Sequence, residues 1–258
     1  MSLLAQLTAA IGDGSIEVVD LTAPLSEDTP ILKLPEPFGN TEHFSLREIS
    51  RYDDRGPAWY WNDIVTGEHT GTHFDAPVHW ITGRDGDDVS QVAPRRLIAP
   101  AVVLDVADRV AADPDFLLGI DDVLDWTKAN GPLPEGGWLL YRTGWDARSG
   151  EQDAFLNADE SGASHTPGIS AECARWLAEE TPILGLGVET VGTDAGGAPA
   201  LDPPFPCHSF LLGAGKYGLT QLRNLDRLPA RGAAVIASPL PIVGGSGSPA
   251  RVLALVER

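Results

Sequence analysis

Thirteen consecutive residues, Glu68-His69-Thr70-Gly71-Thr72-His73-Phe74-Asp75-Ala76-Pro77-Val78-His79-Trp80, hold three of the chain's six histidines with a carboxylate among them. Imidazole nitrogens together with a carboxylate oxygen form a ligand set for Zn²⁺, Mn²⁺ or Fe²⁺. Positions 69, 73, 75 and 79 are all odd, so an extended chain points the four side chains to one face. Full extension still separates His69 from His73 by roughly 13 Å, at about 3.3 Å per residue, too far for one ion. The chain must bend between them, and Thr70-Gly71-Thr72 is where it can, because glycine tolerates the dihedrals of a tight turn. A helix is disfavoured by Gly71, the two threonines and Pro77. The expectation is a bent strand or loop on which His69, His73, Asp75 and His79 converge.

The elements that must position this segment read as one strand-rich domain spanning residues 1–258. Short β-branched or aromatic runs bounded by Gly, Pro and Asp predict strands at Ile16–Leu21, Phe44–Tyr52, Trp59–Val65, Ala101–Val106, Trp138–Arg142, Ile183–Val188, Ala233–Ser238 and Arg251–Val256. Helices are expected at Ser2–Ile11, Asp121–Ala129, Ser170–Glu179 and Leu211–Leu225, with Ser170 as an N-cap and Gly131 as a stop. Gly244-Gly-Ser-Gly-Ser-Pro249 reads as a flexible loop. It is not a nucleophile elbow, because Ser248 occupies the final glycine position of Gly-x-Ser-x-Gly.

Composition narrows the function. With 258 residues, 43% of them hydrophobic, the chain can bury a full core. Its net charge of −19 argues against nucleic acid or an anionic membrane as partner, since both need a basic face. Two cysteines, Cys173 and Cys207, make no disulfide framework. Met1–Gly14 lacks the basic start and continuous apolar core of a signal peptide, and no apolar run approaches the roughly 20 residues of a membrane span. A cytoplasmic location is expected.

The pattern His-x-Gly-Thr-His-x-Asp-x-Pro-x-His, as it stands at 69–79, resembles the hallmark of the cyclase family of metal-dependent hydrolases, which includes bacterial kynurenine formamidases and isatin hydrolases. Supporting similarity lies in Asp20-Leu-Thr-Ala-Pro-Leu-Ser-Glu-Asp-Thr-Pro30, Tyr141-Arg-Thr-Gly-Trp145, His165-Thr-Pro-Gly-Ile169, Gly185-Leu-Gly-Val-Glu-Thr190, His208-Ser-Phe-Leu-Leu-Gly-Ala-Gly215 and Asn224-Leu-Asp-Arg-Leu-Pro229. The resemblance implies a mixed α/β fold of the swivelling type, with a curved or barrel-like sheet flanked by helices. It implies His69, His73 and Asp75 as metal ligands and His79 as the acid/base residue. His208 matches a histidine that ligates metal in dinuclear members. Those members carry a bridging Glu twelve residues later, where this chain has Thr220. A hydroxyl replaces a bridging carboxylate poorly, so the resemblance implies one divalent ion. Gln221 would supply a neutral oxygen ligand, Mn²⁺ is preferred over Zn²⁺, and His208 is released to bind substrate.

Aromatic residues near the motif suggest a flat substrate. Trp59 and Trp61 would share one face of a strand, Trp80 follows His79, and Phe38, Phe44, Phe205 and Phe210 are further wall candidates. The expected activity is metal-dependent opening of a cyclic amide on an aromatic substrate, such as isatin. Deformylation of N-formylkynurenine, or lactone or imide hydrolysis, would use the same machinery. A homo-oligomer, dimer or tetramer, is also expected.

Overall fold

The computed structural model describes residues 1–258. Twelve strands run in chain order: β1 Ile16–Asp20, β2 Ser45–Asp53, β3 Gly56–Val65, β4 His73–Asp75, β5 Ile98–Asp105, β6 Leu117–Leu118, β7 Trp138–Arg142, β8 Gly168–Ile169, β9 Gly185–Val188, β10 Tyr217–Thr220, β11 Arg231–Pro239 and β12 Gly247–Glu257. Five α-helices accompany them: α1 Leu3–Asp13, α2 Ala107–Ala112, α3 Ile120–Asn130, α4 Gln152–Leu156 and α5 Ala171–Glu179. Seven strands close into a ring, β12-β11-β5-β7-β9-β10-β4, because β4 pairs with both β10 and β12. The run β5-β7-β9-β10 is parallel and the remaining pairs are antiparallel. β12 is long enough to hold β4 through Gly247–Pro249 and β1 through Leu253–Glu257.

Strand alternation builds two cores. On β7, Trp138 and Leu140 face the barrel interior while Leu139 and Tyr141 face the helices. On β5, Ala101 and Val103 point inward while Val102 and Leu104 pack outward. The outer core receives Val123 of α3 and Cys173, Ala174 and Leu177 of α5. Each fully buried Leu or Val in these layers contributes roughly 1.5–3 kcal/mol relative to exposure. The helix signals read from sequence hold: the Ser2 and Ser170 hydroxyls cap α1 and α5, and Gly131 ends α3 with φ +92°.

One expected helix is absent. Only the end of a single wide π turn, His208–Leu212, falls within Leu211–Leu225, and it is followed by β10 and then a loop. Gly213, Gly215 and Gly218 interrupt helix growth there, and β10 is needed to bridge β9 and β4. β2 and β3 pair only with each other and form a separate hairpin.

Candidate metal centre and the histidines around it

The bend expected at Thr70–Thr72 is present, with Gly71 at φ +64°. It feeds β4, where Phe74 enters the barrel core against Trp138 and Tyr217. His73 and Asp75 take the opposite face. Asp75 lies between two glycines, Gly218 on β10 and Gly247 on β12. A Cβ at Gly218 would fall 2.5 Å from Asp75 Oδ2, and one at Gly247 would fall 2.6 Å from His69 Cε1. The barrel closes around this site only because both neighbours lack side chains. Pro77 then starts a short 3₁₀ turn over Pro77–His79 that returns His79 to the cluster.

Hydrogen bonding assigns the ring nitrogens. Ser246 Oγ is 2.6 Å from Glu68 Oε2 and 2.8 Å from His69 Nε2. A carboxylate only accepts, so the serine proton goes to Glu68 and the serine oxygen accepts from His69 Nε2–H. A neutral His69 then presents the lone pair of Nδ1 to Asp75 Oδ1, 2.8 Å away. In the same way His73 Nδ1–H donates to the Gly71 carbonyl at 2.7 Å, which leaves the Nε2 lone pair facing Asp75 Oδ1 at 3.4 Å. Asp75 Oδ1 thus faces two ring nitrogens that bring it no proton, an arrangement that a cation would complete.

Ligand atoms about 2.1 Å from a common ion stand roughly 3.0–3.4 Å apart at octahedral to tetrahedral angles, close to the separations found. Buried histidines that donate their other N–H to a carbonyl or a hydrogen-bonded hydroxyl match the usual support of a metal ligand. The residues present therefore fit a divalent ion. The ligand atoms of His69, Asp75 and His79 all lie within 4.8 Å of one another, a group that includes His79 in place of His73.

Electrostatics follow from these contacts. Burial works to raise the Asp75 carboxyl, whereas protonated His73 and His69 would hold it well below the carboxylate range, a part that a bound cation would take when both rings are neutral. Burial depresses His79 to about 3, with the Asp75 charge opposing. His79 stacks on His69 at 3.8 Å between ring centroids, and neither of its ring nitrogens hydrogen-bonds to protein. His79 is thus the cluster histidine free to meet a water or a substrate. His208 is 5.5 Å from His79 and 4.8 Å from Trp80 by the same measure. Trp80 is fastened by its indole N–H to Ser209 Oγ and stacks edge-on against Phe205.

The remaining sequence-predicted residues are placed differently. Thr220 pairs across from His73, and its hydroxyl rests against that ring, 2.8 Å from Nδ1 and 2.9 Å from Nε2. Gln221 is buried with φ +52°. Its backbone is held by Thr72 Oγ1 and Thr190 O, and its side-chain N–H₂ reaches the Pro30 carbonyl at 3.5 Å. The side-chain oxygen carries no hydrogen bond from protein, so it is the free end of the amide.

Trp59 and Trp61 stand 50% and 53% exposed on the β2–β3 hairpin, and Phe38 is 62% exposed. None of the three packs against the histidines in this chain, because the hairpin is a sheet apart from the barrel. Phe44 is buried, and Phe210 packs into the outer core under Arg175. Cys207 is wholly buried with its thiol pushed well above the usual range, which removes it as a nucleophile. Two concave surface sites, at Asp105–Arg109 with Arg142 and at Pro100–Val102 with Arg231–Ala234, contain no histidine. Chemistry rather than concavity marks the site.

Residues 19–195 match the family described as "Putative cyclase". The chain belongs to this family. Isatin hydrolase of Roseibium aggregatum is 48% identical over 260 residues, covering all of this chain and 98% of the relative. Kynurenine formamidase of Salinibacter ruber is 30% identical over 190 residues, covering 72% of this chain and 74% of the relative. Among solved structures, isatin hydrolase A from Ralstonia solanacearum superposes with a TM-score of 0.96 at 50% identity over 100% of this chain and 98% of that one. An isatin hydrolase bound to the product analogue thioisatinate superposes with a TM-score of 0.96 at 46% identity over the full length of both. The expected α/β barrel-like fold and family are therefore both found. No helix is long and apolar enough to cross a membrane.

Proposed function

We propose that this chain opens the cyclic amide of isatin by hydrolysis. The observation that carries the reading is the full-length superposition on an isatin hydrolase holding thioisatinate. The positions of His79 and His208 beside the ion site support it. Held by His69, His73 and Asp75, with Gln221 as a further candidate, a divalent ion supplies Lewis acidity for the carbonyl and lowers the pKa of a water to about 7.

This chain's own residues do the rest. His79, neutral and unpartnered, takes a proton from the attacking water and returns it to the ring nitrogen as the C–N bond breaks. One water is consumed. Its oxygen becomes part of the new carboxylate, and the tethered nitrogen becomes an amine. His208 faces the carbonyl and the carboxylate that forms from it. Trp80 and Phe205 provide flat surfaces beside an aromatic ring. Solvent is excluded at the ligand end by the buried β4 residues.

One ion per chain is proposed, and Mn²⁺ rather than Zn²⁺. The support is Thr220 lying against His73 where dinuclear formamidases place a carboxylate, and a donor set free of thiolate. A cytoplasmic homo-oligomer is also proposed. The oligomer's support is the exposed apolar side chains of the hairpin, Trp59 and Trp61 on one face and Ile64 on the other, which a lone two-stranded sheet does not cover.

Turnover of isatin and N-formylkynurenine by the same preparation, with elemental analysis of metal per chain, tests the proposal. Isatin hydrolysis with one ion is expected. Fast deformylation with no action on isatin, or two ions per chain, would overturn it in favour of a formamidase.

A further inference from the structure

Asp194 lies outside the histidine motif, on the loop after β9, and is buried beside the partly buried His208. Its carboxylate makes three contacts at the start of the His208–Leu212 turn. Oδ1 accepts from Cys207 N–H at 2.7 Å, Oδ2 accepts from His208 N–H at 3.1 Å, and Oδ2 lies 2.5 Å from His208 Nδ1. The first two cap the turn and would exist without any function. The third does something else. An ionised carboxylate accepts only, so the bonded Nδ1 must carry a hydrogen. Thr193 Oγ1, at 3.4 Å from the same nitrogen, is too long to compete. With Nδ1 occupied, Nε2 is the one ring nitrogen left to reach toward His79 and Trp80. No arginine or lysine hydrogen-bonds to Asp194, so its negative charge acts on this imidazole undiluted.

We propose that Asp194 is a positioning residue for ring opening: it accepts His208 Nδ1–H and holds the ring as the imidazolium, so that Nε2–H donates to the substrate carbonyl oxygen as charge develops on it. The assignment rests on the hydrolytic reading above. A carboxylate behind an imidazole fixes both tautomer and ring angle, and its removal costs rate through misorientation even when the imidazole remains.

Asp194→Asn separates this role from capping. The asparagine oxygen can still accept from the backbone N–H groups. Its N–H₂ then faces His208 Nδ1, which must become an acceptor, so the ring loses its positive charge and keeps a proton on Nε2 alone. Asp194→Ala loses both functions.

Two measurements test the proposal on the full chain loaded with diamagnetic Zn²⁺. ¹⁵N NMR of histidine-labelled protein should show both His208 ring nitrogens protonated in the wild type, and only Nε2 protonated in Asp194→Asn. Steady-state kinetics on isatin should show kcat reduced roughly 10²-fold in Asp194→Asn, the scale of a weakened and misoriented transition-state donor, with KM and metal content near wild type. Asp194→Glu should recover part of kcat. Wild-type His208 protonated at a single ring nitrogen overturns the proposal. So does Asp194→Asn with the neutral ring and unchanged kcat, or with a loss confined to the thermal midpoint. Failure of the wild type to hydrolyse isatin, with His208 protonated at Nδ1, removes the substrate half of the proposal along with the functional reading while the Asp194–His208 pairing stands.

Discussion

Two carboxylates, Asp75 and Glu189, are each only 1% exposed, yet they sit in opposite surroundings. Asp75 Oδ1 faces imidazole nitrogens of His69 and His73 that have given their protons elsewhere. Glu189 Oε2 faces donors: Thr143 N–H at 2.7 Å, Thr143 Oγ1 at 3.0 Å, Gly144 N–H at 2.6 Å and Trp145 N–H at 3.2 Å. The first region would be completed by a cation from outside the chain. The second is satisfied by the chain and fastens β7 to β9 near their C-terminal ends. Burial alone therefore does not mark a functional acid. What marks it is whether its partners are donors or competing acceptors.

The strongest way to break the contrast is at the ligands. His73→Ala should abolish metal retention and reduce isatin hydrolysis to background, a larger loss than the roughly 10²–10⁴-fold of a missing acid/base group. Full metal occupancy in folded His73→Ala/Asp75→Ala protein would remove the site from consideration.

Next in size is His79. His79→Ala should retain the ion and lower kcat by roughly 10²–10⁴-fold. Metal lost in proportion to activity would make His79 a ligand, as its place within 4.8 Å of the His69 and Asp75 ligand atoms permits.

A smaller effect is expected from the support of His69. Ser246→Ala removes the acceptor that holds its Nε2–H and should weaken metal affinity about 10–100-fold, read by competition with a chelator. Unchanged affinity would show that Asp75 alone orients the ring.

The smallest effect lies at Glu189. Burial raises its pKa from the ordinary 4.5 to about 7, with the Thr143 and Gly144 donors opposing. The folded state holds this proton more tightly than the unfolded chain does. The stabilisation is thus complete below about pH 4.5 and is lost as pH rises through about 7. Thermal midpoints of wild type should fall across that window, and Glu189→Gln should flatten the fall with metal binding unchanged. Identical slopes in both proteins would assign the pH dependence to another group.

The residues of the site divide by how far apart they lie in sequence. Spacing within residues 68–80 was enough to single out His69, His73, Asp75 and His79 as candidates, to place the bend at Gly71, and to argue against a helix, because all of these depend on local backbone geometry. Strand alternation located most of the barrel staves for the same reason. β4, three residues long, and β10, hidden in a stretch with helical composition, could not be read locally, since each exists only through its neighbours in the closed ring. Ser246 reaches His69 across 177 residues, and Thr220 reaches His73 across 147. Asp194 has no signature of its own beyond being an aspartate in a Gly-rich loop. Trp59 and Trp61 stand on a hairpin whose strands pair only with each other, a placement that their proximity in sequence to His69 did not foretell. Residue types and short spacings determined which atoms can bind a cation. Ring closure alone decided which distant hydroxyls and carboxylates would orient them, because those contacts form only when the two ends of the sheet meet.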